Sequence, residues 1–135
     1  MKKFRGYIFS RVFQKERVPQ HVQNSIIREF CKKKNIEYLL SASEYTMKNS
    51  FLILNEIMQS LKNIDGIVAY SLFQMPEDET ERNKIFSKLL KNKKIIYFAN
   101  ENLELKNKND LIFLNYIWDI KQTLPFSFNE KIKNI

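Results

Sequence analysis

Four short apolar runs alternate with stretches of helical periodicity along this chain of 135 residues. The runs cover residues 6–9, 36–41, 67–70 and 94–98. The intervening segments place apolar side chains three and four residues apart, as amphipathic helices do. Strands that alternate with helices form βαβ units, which build parallel sheets covered on both faces. The sequence therefore predicts an α/β fold: a small open parallel sheet of about four strands with helices on both faces.

The composition predicts one globular domain over residues 1–124 and a C-terminal tail over residues 125–135. Hydrophobic residues make up 44% of the chain, which argues against disorder. Asp110 is expected to cap the last helix and Pro125 to end it. No apolar run approaches the length of a membrane span, and the apolar stretch near Met1 is too short for a secretory signal. We therefore expect a cytoplasmic protein with no membrane partner.

The formal net charge is +8, from 23 lysines and arginines against 15 acidic residues. Such a balance is compatible with nucleic acid, an anionic membrane surface or phosphorylated ligands. Most of the excess is lysine spread over helix ends and loops, as in residues 32–34 and 91–94. Because lysines in such places usually form solvated faces, nucleic acid is not the expected partner.

The expected site lies where the strands end, because ligands of open parallel sheets bind beyond the carboxyl ends of the strands. His21, the chain's only histidine, has an ordinary pKa near neutral pH and is a candidate general acid or base. Ser10 is a candidate nucleophile, and Glu44 and Glu101 are candidate acids or bases. The alternatives are a surface histidine, a helix-capping serine and solvated or arginine-paired carboxylates. The predicted catalytic residues are His21, Ser10, Glu44 and Glu101.

An anionic sugar-type ligand is expected beside these residues. Arginine suits two-point contact with phosphate or carboxylate, and the start of the first helix offers free N–H groups. The alternative for the arginines is a salt bridge with Glu16 or with a neighbouring subunit. The predicted binding residues are Arg11, Arg17, Gln20, Gln23, Asn24, Ser71 and Gln74. Tyr45 and Phe73 are candidates for a ring-binding pocket, whereas Tyr70 is expected in the core.

Neither a metal site nor a cofactor is predicted. The chain has one histidine and no pair of metal ligands at a usable spacing. Its two glycines, Gly6 and Gly66, do not form a phosphate-binding glycine loop. The single Cys31 forbids an internal disulfide and falls on the apolar side of the first helix, where a small core residue is expected.

Three segments resemble the catalytic domain of serine recombinases, or resolvases. They read GYIFSR, DGIVAYSL and IIYFANE. The resemblance implies a resolvase-like sheet, of the general flavodoxin-like kind, with Ser10 in the place of the nucleophilic serine. Residues 72–76 lack the arginines that follow the third strand in that family, and Ile8 and Phe9 precede Ser10 where the family has an arginine. We therefore expect the fold without recombination.

A second resemblance spans nearly the full chain. The segments RGYIFSR, ERVPQHVQN, IREFC, YLLSASEY, DGIVAYSLFQMP and IWDIK are similar to the sporadic carbohydrate cluster proteins, a small family from bacterial carbohydrate-biosynthesis clusters. This resemblance implies a role in making surface polysaccharide or lipopolysaccharide.

The sequence leaves three functions open. The leading hypothesis is a small enzyme acting on a sugar, sugar phosphate or sugar nucleotide. The second is a non-catalytic partner or regulator of an enzyme from the same carbohydrate cluster. The third is a nucleic-acid-binding resolvase-like domain without recombinase activity. A homo-oligomer is also considered, because Phe13, Phe51 and Phe73 together exceed what one small core is expected to bury.

Overall fold

The computed structural model describes the backbone of residues 1–133 and the side chains of residues 1–123. The strands are β1 (Lys3–Ile8), β2 (Glu37–Ser43), β3 (Gly66–Ala69), β4 (Ile95–Phe98) and β5 (Leu103–Leu105). The helices are α1 (Gln20–Lys34), α2 (Leu52–Gln59), α3 (Glu79–Lys91) and α4 (Lys108–Lys133). The sheet order is β2-β1-β3-β4-β5, and all pairs are parallel except β4 with β5. The predicted α/β fold is confirmed.

Helices cover both faces of the sheet, as predicted. On one face, α1 packs through Ile27, Phe30 and Cys31. On the other face lie α2, α3 and α4, whose buried side chains include Leu54 and Phe86. Each such side chain, when fully buried, stabilises the fold by about 1.5–3 kcal/mol relative to exposure. Among the described residues, no helix has both the length and the apolar character needed to cross a bilayer.

The two edge strands of the sheet, β5 and β2, differ from what the sequence predicts. The short strand β5 is not predicted by the sequence, because three residues are too few to show an alternating pattern. The strand at the other edge, β2, is apolar enough to be expected in the interior, yet Leu40 is 78% exposed. That expectation is wrong because β2 is an edge strand and Leu40 is the residue that its pairing with β1 skips, where the register shifts.

The last helix continues through Pro125 to Lys133, so the prediction that Pro125 ends it is wrong. Proline removes one backbone donor and disturbs the preceding turn, but a helix can continue beyond it. Asp110 lies in the first turn, and its carboxylate accepts a hydrogen bond from Lys106 N at 2.8 Å. The division into a domain of residues 1–124 and a tail of residues 125–135 stays a prediction.

Both glycines allow neighbouring strands to approach closely. A Cβ atom at Gly66, at the start of β3, would overlap the carbonyl oxygen of Ile95 and lie 2.6 Å from the ring of Phe4. A Cβ atom at Gly6 would overlap the hydroxyl oxygen of Ser41. The glycines therefore serve strand packing in this fold.

Candidate functional site

The four parallel strands end at one edge of the sheet, which we call the carboxyl edge. Glu44, which follows β2, is buried there. Its Oε2 atom accepts hydrogen bonds from the Tyr7 hydroxyl at 2.8 Å and from Leu54 N at 3.1 Å. Its Oε1 atom accepts from Tyr45 N and Ile53 N, both at 3.1 Å. The carboxylate thus occupies the free N–H groups at the start of α2, where the helix dipole favours a negative charge.

The environment of Glu44 also affects Tyr7. Burial raises the pKa of the Tyr7 phenol far above its usual value, and the neighbouring Glu44 carboxylate raises it further. Tyr7 is therefore neutral at ordinary pH and donates its proton to the carboxylate. The pair couples β1 to the loop that precedes α2.

Ser71 and Glu101 lie together, as expected for residues that follow neighbouring parallel strands. The Ser71 hydroxyl donates to Glu101 Oε2 at 2.7 Å, and Leu72 N donates to Glu101 Oε1 at 2.7 Å. The same hydroxyl accepts from Phe73 N at 3.1 Å. Asn100 Nδ2 also donates to Glu101 Oε2, at 3.0 Å. Glu101 therefore joins the loop after β3 to the loop after β4.

Gln23 and Gln74 form a fully buried pair of amides. Gln74 Nε2 donates to Gln23 Oε1 at 2.8 Å, and Gln74 Oε1 accepts from Ser71 N at 3.2 Å. Gln23 Nε2 donates to the carbonyls of Phe9 and Val18, both at 2.8 Å. The amide pair connects the end of β1, α1 and the turn that follows β3.

Ser10 and the two predicted anion-binding arginines are engaged with backbone atoms. The Ser10 hydroxyl donates to the carbonyl of Glu44 at 3.0 Å, and Arg17 Nη2 donates to the carbonyl of Ser10 at 3.4 Å. Arg11 Nη1 donates to three carbonyls of residues 45–50, and its guanidinium carbon lies 4.1 Å from the centre of the Phe9 ring. Within residues 1–123, Ser10 forms no hydrogen bond with a carboxylate or an imidazole that would serve as its general base.

The start of α1 carries the remaining predicted site residues. His21 is exposed and forms no hydrogen bond within the described side chains. Gln20 Nε2 donates to the Ser43 hydroxyl at 3.1 Å, and Asn24 Oδ1 accepts from a tyrosine hydroxyl of β2 at 3.0 Å. Arg11 packs on Phe9, on the face of the sheet that α2 to α4 cover, whereas α1 covers the other face. The roles predicted for these residues stay predictions.

A buried arginine on α3 lies outside the set of predicted site residues. Arg82 is 1% exposed, and its Nε atom donates to Asn115 Oδ1 at 3.0 Å. Its Nη1 atom donates to the carbonyls of Pro76 and Glu77, and its guanidinium carbon lies 4.2 Å from the Trp118 ring centre. Burial lowers the pKa of Arg82. The burial of Arg82 could have been inferred from helical spacing, since position 82 shares the inward face of α3 with positions 85, 86 and 89.

The polar groups of the carboxyl edge are bonded to one another and to the backbone. Among the side chains that the structure describes, no buried nitrogen or oxygen atom lacks a hydrogen-bond partner. In the same part of the chain, no group of three or more histidine, cysteine, aspartate or glutamate side chains is placed to hold a metal ion. A ligand at Glu44 or Glu101 would have to replace bonds that hold the loops, at a cost of about 1–3 kcal/mol for each buried group left unpaired.

The opposite edge of the sheet is rich in lysine. The starts of β1 and β4, the ends of α1 and α3 and the end of the antiparallel β5 all meet there. We call this surface the lysine edge, and its lysines are Lys2, Lys3, Lys32, Lys33, Lys34, Lys62, Lys88, Lys91, Lys93, Lys94, Lys106 and Lys108. All are exposed except Lys94, which is half-buried. These lysines are far apart along the sequence, but the order and direction of the strands and helices place them at the same edge of the sheet.

Several of these lysines are neighbours although they are distant in sequence. The ammonium groups of Lys34 and Lys106 lie 5.5 Å and 5.7 Å from the same ring centre, that of Tyr97. Lys62, Lys88 and Lys94 line one depression between the ends of α2 and α3. Lysines from distant parts of the sequence are therefore neighbours on both faces of the sheet at this edge.

Few carboxylates compensate this charge. Two side-chain ion pairs form within the described residues, and only the 3.3 Å pair of Lys106 with Glu104 lies at the lysine edge. Its hydrogen bond with Glu104 raises the pKa of Lys106. The Asp65 carboxylate accepts from the backbone N–H of Lys3 at 2.7 Å, and Glu37 is exposed at the start of β2.

Two solved structures share this fold. A resolvase family site-specific recombinase from Streptococcus pneumoniae superposes with a TM-score of 0.63 at 12% sequence identity, covering 97% of this chain and 93% of that one. The N-terminal catalytic domain of TP901-1 integrase gives a TM-score of 0.59 at 14% identity, covering 95% of this chain and 98% of that one. No protein-family model and no curated protein matches the chain.

At these identities the similarity establishes the fold alone. The chain has the fold of resolvase-type catalytic domains, so the structural resemblance expected from the sequence is confirmed. None of the comparisons supports the resemblance to the sporadic carbohydrate cluster proteins or a role in carbohydrate biosynthesis, which stay predictions.

Proposed function

We propose that this chain is a resolvase-like domain that binds nucleic acid at the lysine edge and catalyses no strand exchange at the carboxyl edge. The main support is the gathering at one edge of lysines from segments that are distant in sequence, with a single ion pair among them. A basic surface of this kind attracts the phosphate backbone without reading sequence. The structural neighbours are a site-specific recombinase and an integrase domain, both proteins that by name act in recombination.

The width of the lysine edge suits a polyanion with closely spaced charges. Five strands that are about 4.8 Å apart give an edge roughly 19 Å wide. Phosphates of one DNA strand repeat about every 3.4 Å along the duplex axis, so an edge of this width spans about five base pairs. Each neutralised phosphate releases counterions, which makes binding strongly dependent on salt.

The absence of strand exchange is proposed from the surroundings of Ser10. Its hydroxyl is bonded to a backbone carbonyl, and the adjacent Arg11 guanidinium is held by three others. Phosphoryl transfer depends on positioned cations that stabilise the charge of the transition state. Residues 72–76 add no arginine to this edge.

Binding of a short labelled duplex, followed by fluorescence anisotropy between about 50 and 200 mM salt, tests the first half of the proposal. The test variant replaces Lys32, Lys33 and Lys34 with glutamine. The control replaces Arg28, Lys84 and Lys121, three exposed basic residues outside the lysine edge, with glutamine and removes the same charge. We expect the test variant to bind at least tenfold more weakly than the control, with a salt slope shallower by about 0.9 for each phosphate that is no longer neutralised.

Two results would overturn the nucleic-acid proposal. One is no binding of the unmodified protein at the lowest salt concentration, and the other is equal weakening by both triple variants.

The second half of the proposal, the absence of strand exchange, is tested with supercoiled plasmid DNA. We expect no nicked product and no covalent protein–DNA adduct, whereas an adduct that disappears in Ser10→Ala would show that this serine acts as a nucleophile.

A further inference from the structure

A cavity of about 450 Å³ lies among the segments that follow β1, β2 and β3, and we call it the β1–β3 crevice. The order of the sheet reverses here, because the chain moves outward from β1 to β2 and then crosses β1 to continue at β3. Ligands of open α/β sheets bind at such a reversal. The volume also falls within the range of about 300–1,000 Å³ that is typical of small-ligand sites.

Aromatic rings form much of the wall of the crevice. Phe9 and Phe13 meet edge to face with ring centres 5.6 Å apart, and Phe51 lies 6.3 Å from Phe9. Phe73 and Met75 contribute from the segment after β3. Flat apolar walls of this kind favour a planar ring in the ligand, since aromatic pairs gain about 0.5–1.5 kcal/mol beyond their buried area.

The charged lining of the crevice is mainly positive. Arg11, Lys15 and Lys48 contribute cations, against the single carboxylate of Glu77. The Arg11 guanidinium is fixed in position, because Nη1 donates to backbone carbonyls and the group stacks on Phe9. Its Nε and Nη2 atoms form no hydrogen bond within the described residues, so they remain available to an anionic ligand.

The backbone around the crevice adopts an uncommon conformation. Gln14, Lys15 and Asn49 have φ values of 51°, 63° and 63°, in the left-handed region that residues other than glycine seldom occupy. All three line the crevice. Reciprocal backbone hydrogen bonds of 3.0 Å between Phe13 and Glu16 close the tight turn at residues 14 and 15. Such conformations concentrate at ligand-binding segments, where the surrounding structure holds them in place.

From these features we propose that the β1–β3 crevice binds a nucleoside phosphate. The base would lie against the half-buried rings of Phe51 and Phe73, and the phosphate would contact Arg11 and Lys48 or Lys15. This site is distinct from the lysine edge, which lies at the other end of the strands. The proposal therefore does not depend on nucleic-acid binding at that edge.

Isothermal titration with uridine 5′-monophosphate and adenosine 5′-monophosphate tests this proposal in the full chain. We expect at least one of them to bind saturably with a Kd below about 1 mM. Its nucleoside, inorganic phosphate and glucose 1-phosphate should each bind at least tenfold more weakly, because each lacks the charge or the planar ring. Replacing Lys15 and Lys48 with glutamine should weaken binding of the nucleotide at least tenfold, whereas the matched control, Lys32→Gln with Lys33→Gln, should change it less than twofold.

The outcomes separate the crevice from the lysine edge. No saturable binding of either nucleotide, or equal affinity for glucose 1-phosphate, would overturn the crevice proposal even if duplex DNA binds. An undiminished affinity in the Lys15 and Lys48 variant would also overturn it. Nucleotide binding without duplex binding would support the crevice and contradict the function proposed for the lysine edge.

Discussion

The carboxyl edge and the lysine edge use their polar side chains in opposite ways. At the carboxyl edge, Glu44 and Glu101 accept hydrogen bonds from backbone N–H groups and from the hydroxyls of Tyr7 and Ser71. At the lysine edge, nearly all the ammonium groups face solvent, and one pairs with a carboxylate. The polar side chains of the carboxyl edge therefore hold the loops in place, whereas the ammonium groups of the lysine edge are accessible to a partner.

Part of the difference follows from which ends of α1, α2 and α3 meet each edge. Helix starts present N–H groups and a partial positive charge, so they are stabilised by carboxylates such as that of Glu44. Helix ends present carbonyl groups and favour lysine, each worth about 0.3–1 kcal/mol when exposed. The same physics thus buries acidic groups at one edge and displays basic groups at the other. If this contrast is right, substitutions at the carboxyl edge should change mainly stability, and those at the lysine edge mainly binding.

The largest effect is expected for Glu44→Ala. The substitution leaves the Tyr7 hydroxyl and the N–H groups at the start of α2 without their charged acceptor, which should lower the free energy of unfolding by about 3 kcal/mol or more. Urea unfolding followed by circular dichroism measures the change. Glu56→Ala, at an exposed position on the same helix, should stay within about 0.5 kcal/mol of the unmodified protein. An equally small change for Glu44→Ala would contradict the structural role assigned to the carboxyl edge.

Gly66→Ala tests whether the lysine edge contains any position that the fold requires. The added methyl group would overlap the Ile95 carbonyl, so the free energy of unfolding should fall by about 1–3 kcal/mol. Thermal unfolding gives this value. Replacement of Lys32, Lys33 and Lys34 with glutamine should cost less than that, since these exposed side chains only complement the helix dipole. A larger loss in the lysine variant than in Gly66→Ala would assign the lysines to folding.

Ser71→Ala should have a moderate effect on stability. It removes the donor to Glu101 and the acceptor for Phe73 N in a buried turn, which should cost about 1–2 kcal/mol in urea unfolding. Ser87→Ala, at an exposed position on α3, provides the matched control. A loss that no more than equals that of the control would indicate that the Ser71–Glu101 contact is available for another role.

The smallest effect is expected in the pH dependence. Because the pKa of Tyr7 is raised in the folded state, its stabilising contribution is complete below the unfolded pKa of about 10 and declines as the pH rises above that value. Burial raises the pKa of the Cys31 thiol to about 11, so this group also lowers stability above about pH 9. When the pH rises from about 9 to 11, the free energy of unfolding of Tyr7→Phe should therefore fall by roughly 1 kcal/mol less than that of the unmodified protein. Identical pH profiles would show that Tyr7 ionises as readily when folded.

The predictable part of the fold came from periodicity. The apolar runs and helical spacing specified four parallel strands and the helices on both faces. The strand β5 and the exposure of Leu40 depend on position within the sheet, which local patterns do not contain. The continuation of α4 beyond Pro125 likewise depends on more than the proline itself.

The meeting of Ser71 with Glu101 at the carboxyl edge was predictable, but most hydrogen-bond partners of the side chains there were not. Parallel topology correctly brings Ser71 and Glu101 together. It does not reveal which partners a loop side chain has, such as the three backbone carbonyls that bind the Arg11 guanidinium. Lysines at helix ends look scattered along the chain, and only the common direction of α1 and α3 gathers them at one edge. Counting the charged residues at each end of the predicted strands and helices would have revealed the lysine edge from the sequence.

The contrast between the two edges is tested most directly by mapping amide chemical shifts in a nuclear magnetic resonance titration with short duplex DNA at low salt. We predict that the largest changes fall on the lysine edge, around Lys3, Asn35 and Lys93. Amides of Ser10, Ser71 and Glu101 should change little. Changes concentrated on those three residues, with the lysine edge unaffected, would contradict the division of roles between the two edges.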